Sequence, residues 1–130
     1  MLTKHNKTPE YDLYGAIAKY MRLQYPKVVY HFDPTGLNLS KTQRGKLKVI
    51  QSDWAWPDLF IAKQDNREGS GMFIEVKPIG TRIYNRYGQP ANEHIQEQFN
   101  CIERLRECGY WAELLCGFDE IKEAIDLYLK

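Results

Sequence analysis

Two charged residues of opposite sign stand two positions apart in the apolar segment 72–77. Residues of a β-strand alternate between its faces, so Glu75 and Lys77 should project together while Val76 points into the core. Asp58 heads the preceding apolar segment, and a hairpin would bring its carboxylate beside that of Glu75. Adjacent carboxylates repel unless a cation lies between them, and hard oxygen ligands suit Mg²⁺ or Mn²⁺. The pattern therefore predicts a divalent-metal site in which Lys77 polarises water and offsets developing negative charge.

The same residues allow a simpler interpretation. Glu75 and Lys77 can form an ordinary surface ion pair, and Pro57-Asp58 can be a turn dipeptide. A Pro-Asp followed later by Glu-x-Lys also occurs by chance in many proteins. These residues alone leave both interpretations open.

Two polar residues lie where the helical pattern predicts apolar ones. Glu10 precedes Leu13, Ile17 and Met21 by three, seven and eleven residues, so it shares their inward helical face and needs a partner there. The alternative is that Glu10 only complements the helix dipole in the first turn. Gln98 lies at the boundary of a second apolar stripe, where its amide must find hydrogen bonds.

The element order that positions these residues is predicted to be α-β-β-β-α-β-α. Thr8 should cap a first helix that stops at Tyr25-Pro26, and Gly109 should end a second helix that follows the stripe from Ile95 to Leu105. A last helix should begin near Gly117. The predicted strands are 28–32, 58–62, 72–76 and 110–115, and the polar link 64–71 favours a hairpin between the second and third. Residues 37–56 lack clear periodicity and are interpreted as a basic loop.

Length and composition restrict the class of protein. The 130 residues, 43% of them hydrophobic, suit one compact domain spanning 1–130. Three cysteines without a CxxC pair make a disulfide framework or a structural zinc site improbable and favour a reducing compartment. The polar N-terminus lacks a signal peptide's apolar stretch, and no apolar run is long enough to span a membrane. We therefore expect a soluble protein located in the cytoplasm.

The order and spacing of these motifs resemble a known family. Glu10 on a first helix, Pro57-Asp58-Leu59, Ile74-Glu75-Val76-Lys77, and the segment 94–98 leading into Gly109-Tyr110 look like the VRR-NUC family, the virus-type replication-repair nucleases of the PD-(D/E)xK superfamily. The match covers nearly the whole chain, including the closing helix. One departure is visible, because members commonly carry a glycine shortly before Pro-Asp where this chain has Trp54-Ala55-Trp56.

The resemblance implies a restriction-endonuclease-like α/β fold with an α-β-β-β-α-β core, a mixed central sheet and flanking helices. It also implies Mg²⁺- or Mn²⁺-dependent hydrolysis of DNA phosphodiester bonds. The metal ligands would be Glu10, Asp58, Glu75 and the Val76 carbonyl. Asp58, Glu75 and Lys77 would be catalytic, and Gln98 would assist Lys77 or the attacking water.

The substrate is less closely defined. The stand-alone viral members act as homodimers on branched DNA, so the resemblance favours a homodimer on four-way (Holliday) junctions, in keeping with a DNA-repair role. Alternatives are a nuclease of the same fold acting on flaps, ends or simple duplex, a non-catalytic DNA-binding module, and an interaction protein in which the motif is coincidental.

Any DNA-binding surface must be a local cluster of charge, because 18 basic residues against 17 acidic ones give a net charge of only +1. The candidate phosphate-binding residues come from the basic stretch and from the loop after the Glu-x-Lys motif: Lys41, Arg44, Lys46, Lys48, Arg82 and Arg86. The alternative for the basic stretch is an ordinary solvated loop.

Overall fold

The structure, a computed structural model, describes residues 8–34, 39–63 and 70–130. Its elements, in chain order, are α1 (Pro9–Gln24), β1 (Tyr30–Phe32), α2 (Lys41–Ile50), β2 (Leu59–Ile61), β3 (Met72–Lys77), α3 (Glu93–Glu107), β4 (Trp111–Cys116) and α4 (Phe118–Leu129). The strands form one sheet in the order β1-β2-β3-β4. The pairs β1–β2 and β2–β3 are antiparallel, and β3–β4 is parallel. The predicted α/β class with a mixed central sheet and the predicted hairpin are confirmed.

Helices cover both faces of the sheet, so the central strand β3 is buried on both sides. On one face, Ile74 and Val76 pack in the main core with residues of α1 and α4 such as Ile17 and Ile121. On the other face, Phe73 packs in a second, smaller core with residues of α3 and β4. Strand alternation places Glu75 and Lys77 on the Phe73 face, towards the end of β3.

Local signals in the sequence explain where these helices begin and end. The Thr8 hydroxyl accepts a hydrogen bond from Tyr11 N at 3.1 Å, with Pro9 at the first helical position. The Asn92 side chain accepts one from Ile95 N at 2.9 Å and begins α3 in the same way. Gly109 follows α3 with a φ of 94°, a left-handed conformation that glycine adopts without strain.

The predicted basic loop 37–56 is wrong in its central part, which forms helix α2. Ser40 and Gln43 form a reciprocal capping box, in which each side chain accepts a hydrogen bond from the other's backbone N–H, at 3.2 and 2.9 Å. Periodicity missed this helix because it buries no residue completely and Leu47 alone is half-buried. Gly45 in its middle further weakened the helical pattern. The element order is therefore α-β-α-β-β-α-β-α.

Smaller differences concern the strand lengths. β1 and β2 each have three residues, fewer than the predicted five. Residues 37–38 of the predicted basic loop and 64–69 of the predicted hairpin link lie outside the described residues. Cys101, Cys108 and Cys116 are free thiols, in line with the predicted lack of a disulfide framework. Within the described ranges, none of the helices combines the length and apolar character needed to cross a membrane.

Candidate active site

One open cleft of about 520 Å³ brings together side chains from distant parts of the sequence. Its acidic and polar wall comes from α1, the start of β2, β3 and α3: Glu10, Asp58, Glu75, Lys77, His94 and Gln98. Its opposite wall comes from α2 and the loop that follows it: Arg44, Leu47, Lys48, Gln51, Ser52, Trp54, Ala55 and Trp56. The cleft thus lies at one end of the sheet and is lined on one part by α1, β2, β3 and α3 and on the rest by α2 and its following loop.

Asp58 is fixed in place by a backbone hydrogen bond from β3, at the point where the β2–β3 ladder ends. Leu59 pairs with Ile74, and the same register places Pro57 opposite Val76. Proline has no N–H to donate, so the ladder ends there. The Val76 N–H donates a hydrogen bond to the Asp58 Oδ2 atom at 2.8 Å, and Asp58 is buried. The Val76 carbonyl points to the same side as its N–H, so it faces Pro57 and has no ladder donor opposite.

The Glu75 carboxyl group is buried beside a second carboxyl group. Burial, a hydrogen bond with Asp58 and the negative charge of Asp58 together raise the pKa of Glu75 to about 10. Lys77 opposes this rise, but its Nζ atom is 4.0 Å from Glu75 Oε1, too far for a close ion pair. The Glu75 carboxyl group therefore resists ionisation where it lies, and a cation beside it would favour its charged form.

Glu10 approaches this pair from the first turn of α1. Its carboxylate is half-buried and accepts a hydrogen bond from the Tyr14 hydroxyl at 2.8 Å. Burial raises the pKa of Glu10, the Tyr14 hydrogen bond lowers it, and the negative charge of Asp58 raises it again, with a net increase. Asp58 and Glu10 are thus close enough to repel each other within the cleft, even though they are distant in the sequence.

Gln98 on α3 holds Glu75 from the other side. Its Nε2 atom donates a hydrogen bond to Glu75 Oε1 at 2.9 Å and lies 3.2 Å from His94 Nε2. Its Oε1 atom is buried and has no hydrogen-bond partner among the described residues. Buried amide oxygens are rarely unpaired in proteins, so this atom marks a place where a water or a ligand is expected.

His94 was not predicted as a residue of the site. The available signal was its spacing, because residues four apart lie on the same face of a helix and His94 precedes Gln98 by four. Trp54 on the opposite wall was not predicted either, beyond its place in the departure from the family pattern. It follows helix α2, in the region that the sequence predicted to be a loop.

The donor atoms fit a divalent cation only in part as they stand. Among residues 8–34, 39–63 and 70–130, no three acidic, histidine or cysteine side chains are arranged to enclose an ion. Asp58, Glu75 and the Val76 carbonyl nevertheless offer hard oxygen atoms at one point, and the unpaired Gln98 Oε1 lies beside them. Mg²⁺ is commonly held by one or two carboxylates together with several waters, so this donor set is chemically suitable. Glu10 would act through water or after leaving Tyr14.

The predicted phosphate-binding residues divide into two groups. Arg44 and Lys48 line the cleft, whereas Lys41, Lys46, Arg82 and Arg86 do not. The Arg82 Nε atom donates to the Tyr84 carbonyl at 3.3 Å, and the Arg86 guanidinium lies 4.9 Å from the centre of the Tyr87 ring. Arg82 and Arg86 thus both contact tyrosines of their own loop, the one that follows β3.

Comparison with known proteins supports the architecture. No family model matches the sequence, and no curated protein matches it. A solved structure described as a VRR_NUC domain protein superimposes with a TM-score of 0.67 and 24% sequence identity, over 94% of this chain and 88% of that chain. The expectation for the fold is confirmed: this chain has the fold of a VRR_NUC domain protein.

Proposed function

We propose that the protein is a divalent-metal-dependent nuclease that hydrolyses phosphodiester bonds of DNA. The observation that carries this proposal is the buried Asp58–Glu75 carboxyl pair, which lies with Lys77 on the wall of an open cleft. Folding two carboxyl groups together is costly, and the raised pKa of Glu75 expresses that cost. A purely structural pair has no need to lie in a cleft.

Asp58, Glu75 and the Val76 carbonyl would hold Mg²⁺ or Mn²⁺, with Glu10 completing the set directly or through water. The bound ion would polarise a phosphate oxygen and lower the pKa of a coordinated water. Lys77 lies beside Glu75 and would orient the attacking water and offset the negative charge that grows on phosphorus-bound oxygens. Gln98 would keep Glu75 in place through its 2.9 Å hydrogen bond and offer Oε1 to the water.

The opposite wall of the cleft would bind the DNA backbone. Arg44 and Lys48 come from exposed α2, and Lys41 and Lys46 add positive charge to the same helix. Cations on this wall would place a phosphate over the carboxyl pair and offset its negative charge. Arg82 and Arg86 would contact phosphates outside the cleft.

Branched DNA is the proposed substrate, with four-way junctions as the specific case. A homodimer with two clefts could cut two strands of one junction, as the resemblance implies for stand-alone members of the family. Flaps, ends or simple duplex are the alternative substrates of the same fold. The proposed location is the cytoplasm of a bacterial or phage-infected cell, where such DNA occurs.

The deciding experiment is to incubate labelled four-way junction, flap, splayed-arm and linear duplex DNA with the protein in Mg²⁺, Mn²⁺ or chelator. We expect cleavage in either metal, none in chelator, and the fastest cleavage on the junction. Asp58→Asn should abolish it, whereas Glu107→Gln, at an exposed position on α3, should not. Light scattering reports the predicted dimer. Cleavage of none of the DNAs in either metal would contradict the proposal.

A further inference from the structure

The loop between α2 and β2 carries two tryptophans in different environments. Both side chains are about half exposed, Trp54 at 49% and Trp56 at 44%. The Trp56 ring packs edge-on against Phe73, with ring centres 5.0 Å apart and an interplanar angle of 82°. Trp54 forms no such ring pair among the described residues. Trp56 therefore anchors the loop to the sheet, whereas Trp54 lines the cleft without that support.

A single exposed tryptophan is not unusual by itself, because much of any protein surface is apolar. Trp54 differs because of its surroundings. It stands four positions before Asp58, in the same cleft as the carboxyl pair and as Arg44 and Lys48. Aromatic side chains among positive charges form the type of surface on which the bases of single-stranded nucleic acids stack while the cations hold the backbone.

The chemistry of the base decides which DNA such a surface accepts. In a continuous duplex, both faces of each base are covered by the neighbouring bases. Only a nucleotide that is unpaired, or one released from its stack, offers a face to an indole ring. A tryptophan beside the carboxyl pair therefore favours DNA with an unpaired nucleotide next to the bound phosphate.

Building on the proposed function, we propose that Trp54 stacks on an unpaired base of the strand bound in the cleft and thereby makes the protein select DNA with unpaired nucleotides. Trp54 would be a specificity residue that contacts the substrate and takes no part in the chemical step. Arg44 and Lys48 would hold the phosphates on either side of that nucleotide. The preference would follow from the local state of the base, whatever the overall shape of the branched DNA.

The test measures binding by fluorescence anisotropy in chelator, so that no cleavage occurs. One DNA consists of two duplex arms joined by a short single-stranded thymidine linker, a second has the same linker made of abasic sugars, and a third is continuous duplex. The variants are Trp54→Ala, Trp54→Phe and, as a control, Leu23→Ala. Leu23 is an apolar residue of α1 that is 68% exposed and outside the cleft lining.

We expect Trp54→Ala to bind the thymidine linker about tenfold more weakly than the parent, the usual effect of removing one stacked base. On the abasic linker and on continuous duplex, Trp54→Ala and the parent should bind equally, because there is no free base to stack on. Trp54→Phe should keep most of the affinity for the thymidine linker, and Leu23→Ala all of it. Trp54→Ala should stay folded with a thermal midpoint only slightly below that of the parent, because Trp54 is about half exposed and forms no ring pair among the described residues.

Two results would overturn the inference: equal binding of the thymidine linker by the parent and Trp54→Ala, or the same weakening on thymidine and abasic linkers. Cleavage by the parent in Mg²⁺ and Mn²⁺ is measured separately on the same DNAs. A base-dependent effect of Trp54 without cleavage would uphold the stacking and contradict the nuclease. Cleavage by the parent, combined with unchanged binding by Trp54→Ala, would uphold the nuclease and contradict the stacking.

Discussion

Two carboxyl groups of this protein lie in opposite environments. Asp126 on α4 accepts hydrogen bonds from the Tyr20 hydroxyl at 2.5 Å, the Tyr25 hydroxyl at 2.6 Å and Lys122 Nζ at 3.0 Å. Burial acts to raise the pKa of Asp126, but these donors outweigh burial and lower the pKa to about 2. Glu75 has another carboxyl group as its neighbour, and its pKa rises to about 10. The charge of Asp126 is stabilised by donors within the fold, whereas the charged form of Glu75 is disfavoured there.

The contrast separates a structural cluster from a functional one. The Asp126 cluster joins α1 to α4, which also pack together in the main core, and its charge is matched by donors of the chain itself. Among the described residues, the cation that pairs with Glu75 is Lys77, at 4.0 Å, and the Asp58–Glu75 pair lies in a cleft that solvent or a ligand can enter. Proteins retain costly local arrangements mainly where function uses them. Substitutions in the two clusters should therefore have opposite effects on catalysis and on stability.

The largest difference should appear in catalysis. Asp58→Ala, Glu75→Ala and Lys77→Ala should each reduce DNA cleavage by at least about a hundredfold, because each removes a group that acts on the ion, the water or the transition state. Asp126→Ala should cleave at the parental rate at temperatures where it is folded. Initial rates in saturating Mg²⁺, with circular dichroism to verify folding, provide the measurement. Unchanged turnover of Lys77→Ala would remove the assigned role of Lys77.

The second difference should appear in stability, where the substitution of Asp126 should be the costly one. Asp126→Ala leaves the hydroxyls of Tyr20 and Tyr25 without their acceptor, and it should lower the free energy of unfolding by about 2 kcal/mol near pH 7. The folded pKa is lower than the ordinary value of 3.8, so Asp126 stabilises the fold above that value. This contribution disappears as the pH falls towards 2. Urea unfolding at several pH values should show the gap between parent and variant closing in acid.

Glu75→Gln should have the opposite effect on stability and raise the free energy of unfolding. Because the folded pKa is about 10 and the ordinary value is 4.5, Glu75 makes the parent less stable as the pH rises between them. Glutamine stays neutral, can donate to Asp58 and can still accept from Gln98. We expect the metal-free variant to be more stable than the parent by about 1 kcal/mol near pH 8, with a smaller gain near pH 5. Chemical unfolding in chelator measures this, and a destabilised variant at pH 8 would show that the carboxyl pair is not strained.

The sequence predicted the parts of the fold and of the site that follow from local patterns. Caps and apolar stripes located α1, α3 and α4, and strand alternation placed Glu75 and Lys77 on one side of β3. Helix α2 was not predicted because an exposed helix has no apolar stripe, although Ser40 and Gln43 carried its capping signal. The Asp126 cluster could not be predicted either. Its partners are 106 and 101 positions away, and only the packing of α1 on α4 brings them together.

The smallest expected effects distinguish the cations near the two carboxyl groups. Lys122 forms an ion pair with Asp126 at 3.0 Å, so Lys122→Gln should lower stability only slightly, as the loss of an exposed ion pair does, and leave DNA binding unchanged. Urea unfolding and anisotropy titrations of the same preparation measure the two quantities. Weaker DNA binding by Lys122→Gln would show that the Asp126 cluster is not purely structural.

Arg44→Gln combined with Lys48→Gln should leave stability within about 0.5 kcal/mol of the parent, because both residues are exposed on α2. The double variant should instead weaken binding to every DNA and lower the slope of log affinity against log salt by about two units, one for each phosphate that is no longer neutralised. Lys46→Gln is the matched control, since Lys46 belongs to the same helix but does not line the cleft. Anisotropy titrations over a range of salt concentrations provide the slopes.

If Lys46→Gln lowered the slope as much as either cleft substitution, DNA would be held by the charge of the whole helix α2. The cleft wall would then have no special part in binding, and the carboxyl pair would have to attract its substrate phosphate through the metal and Lys77.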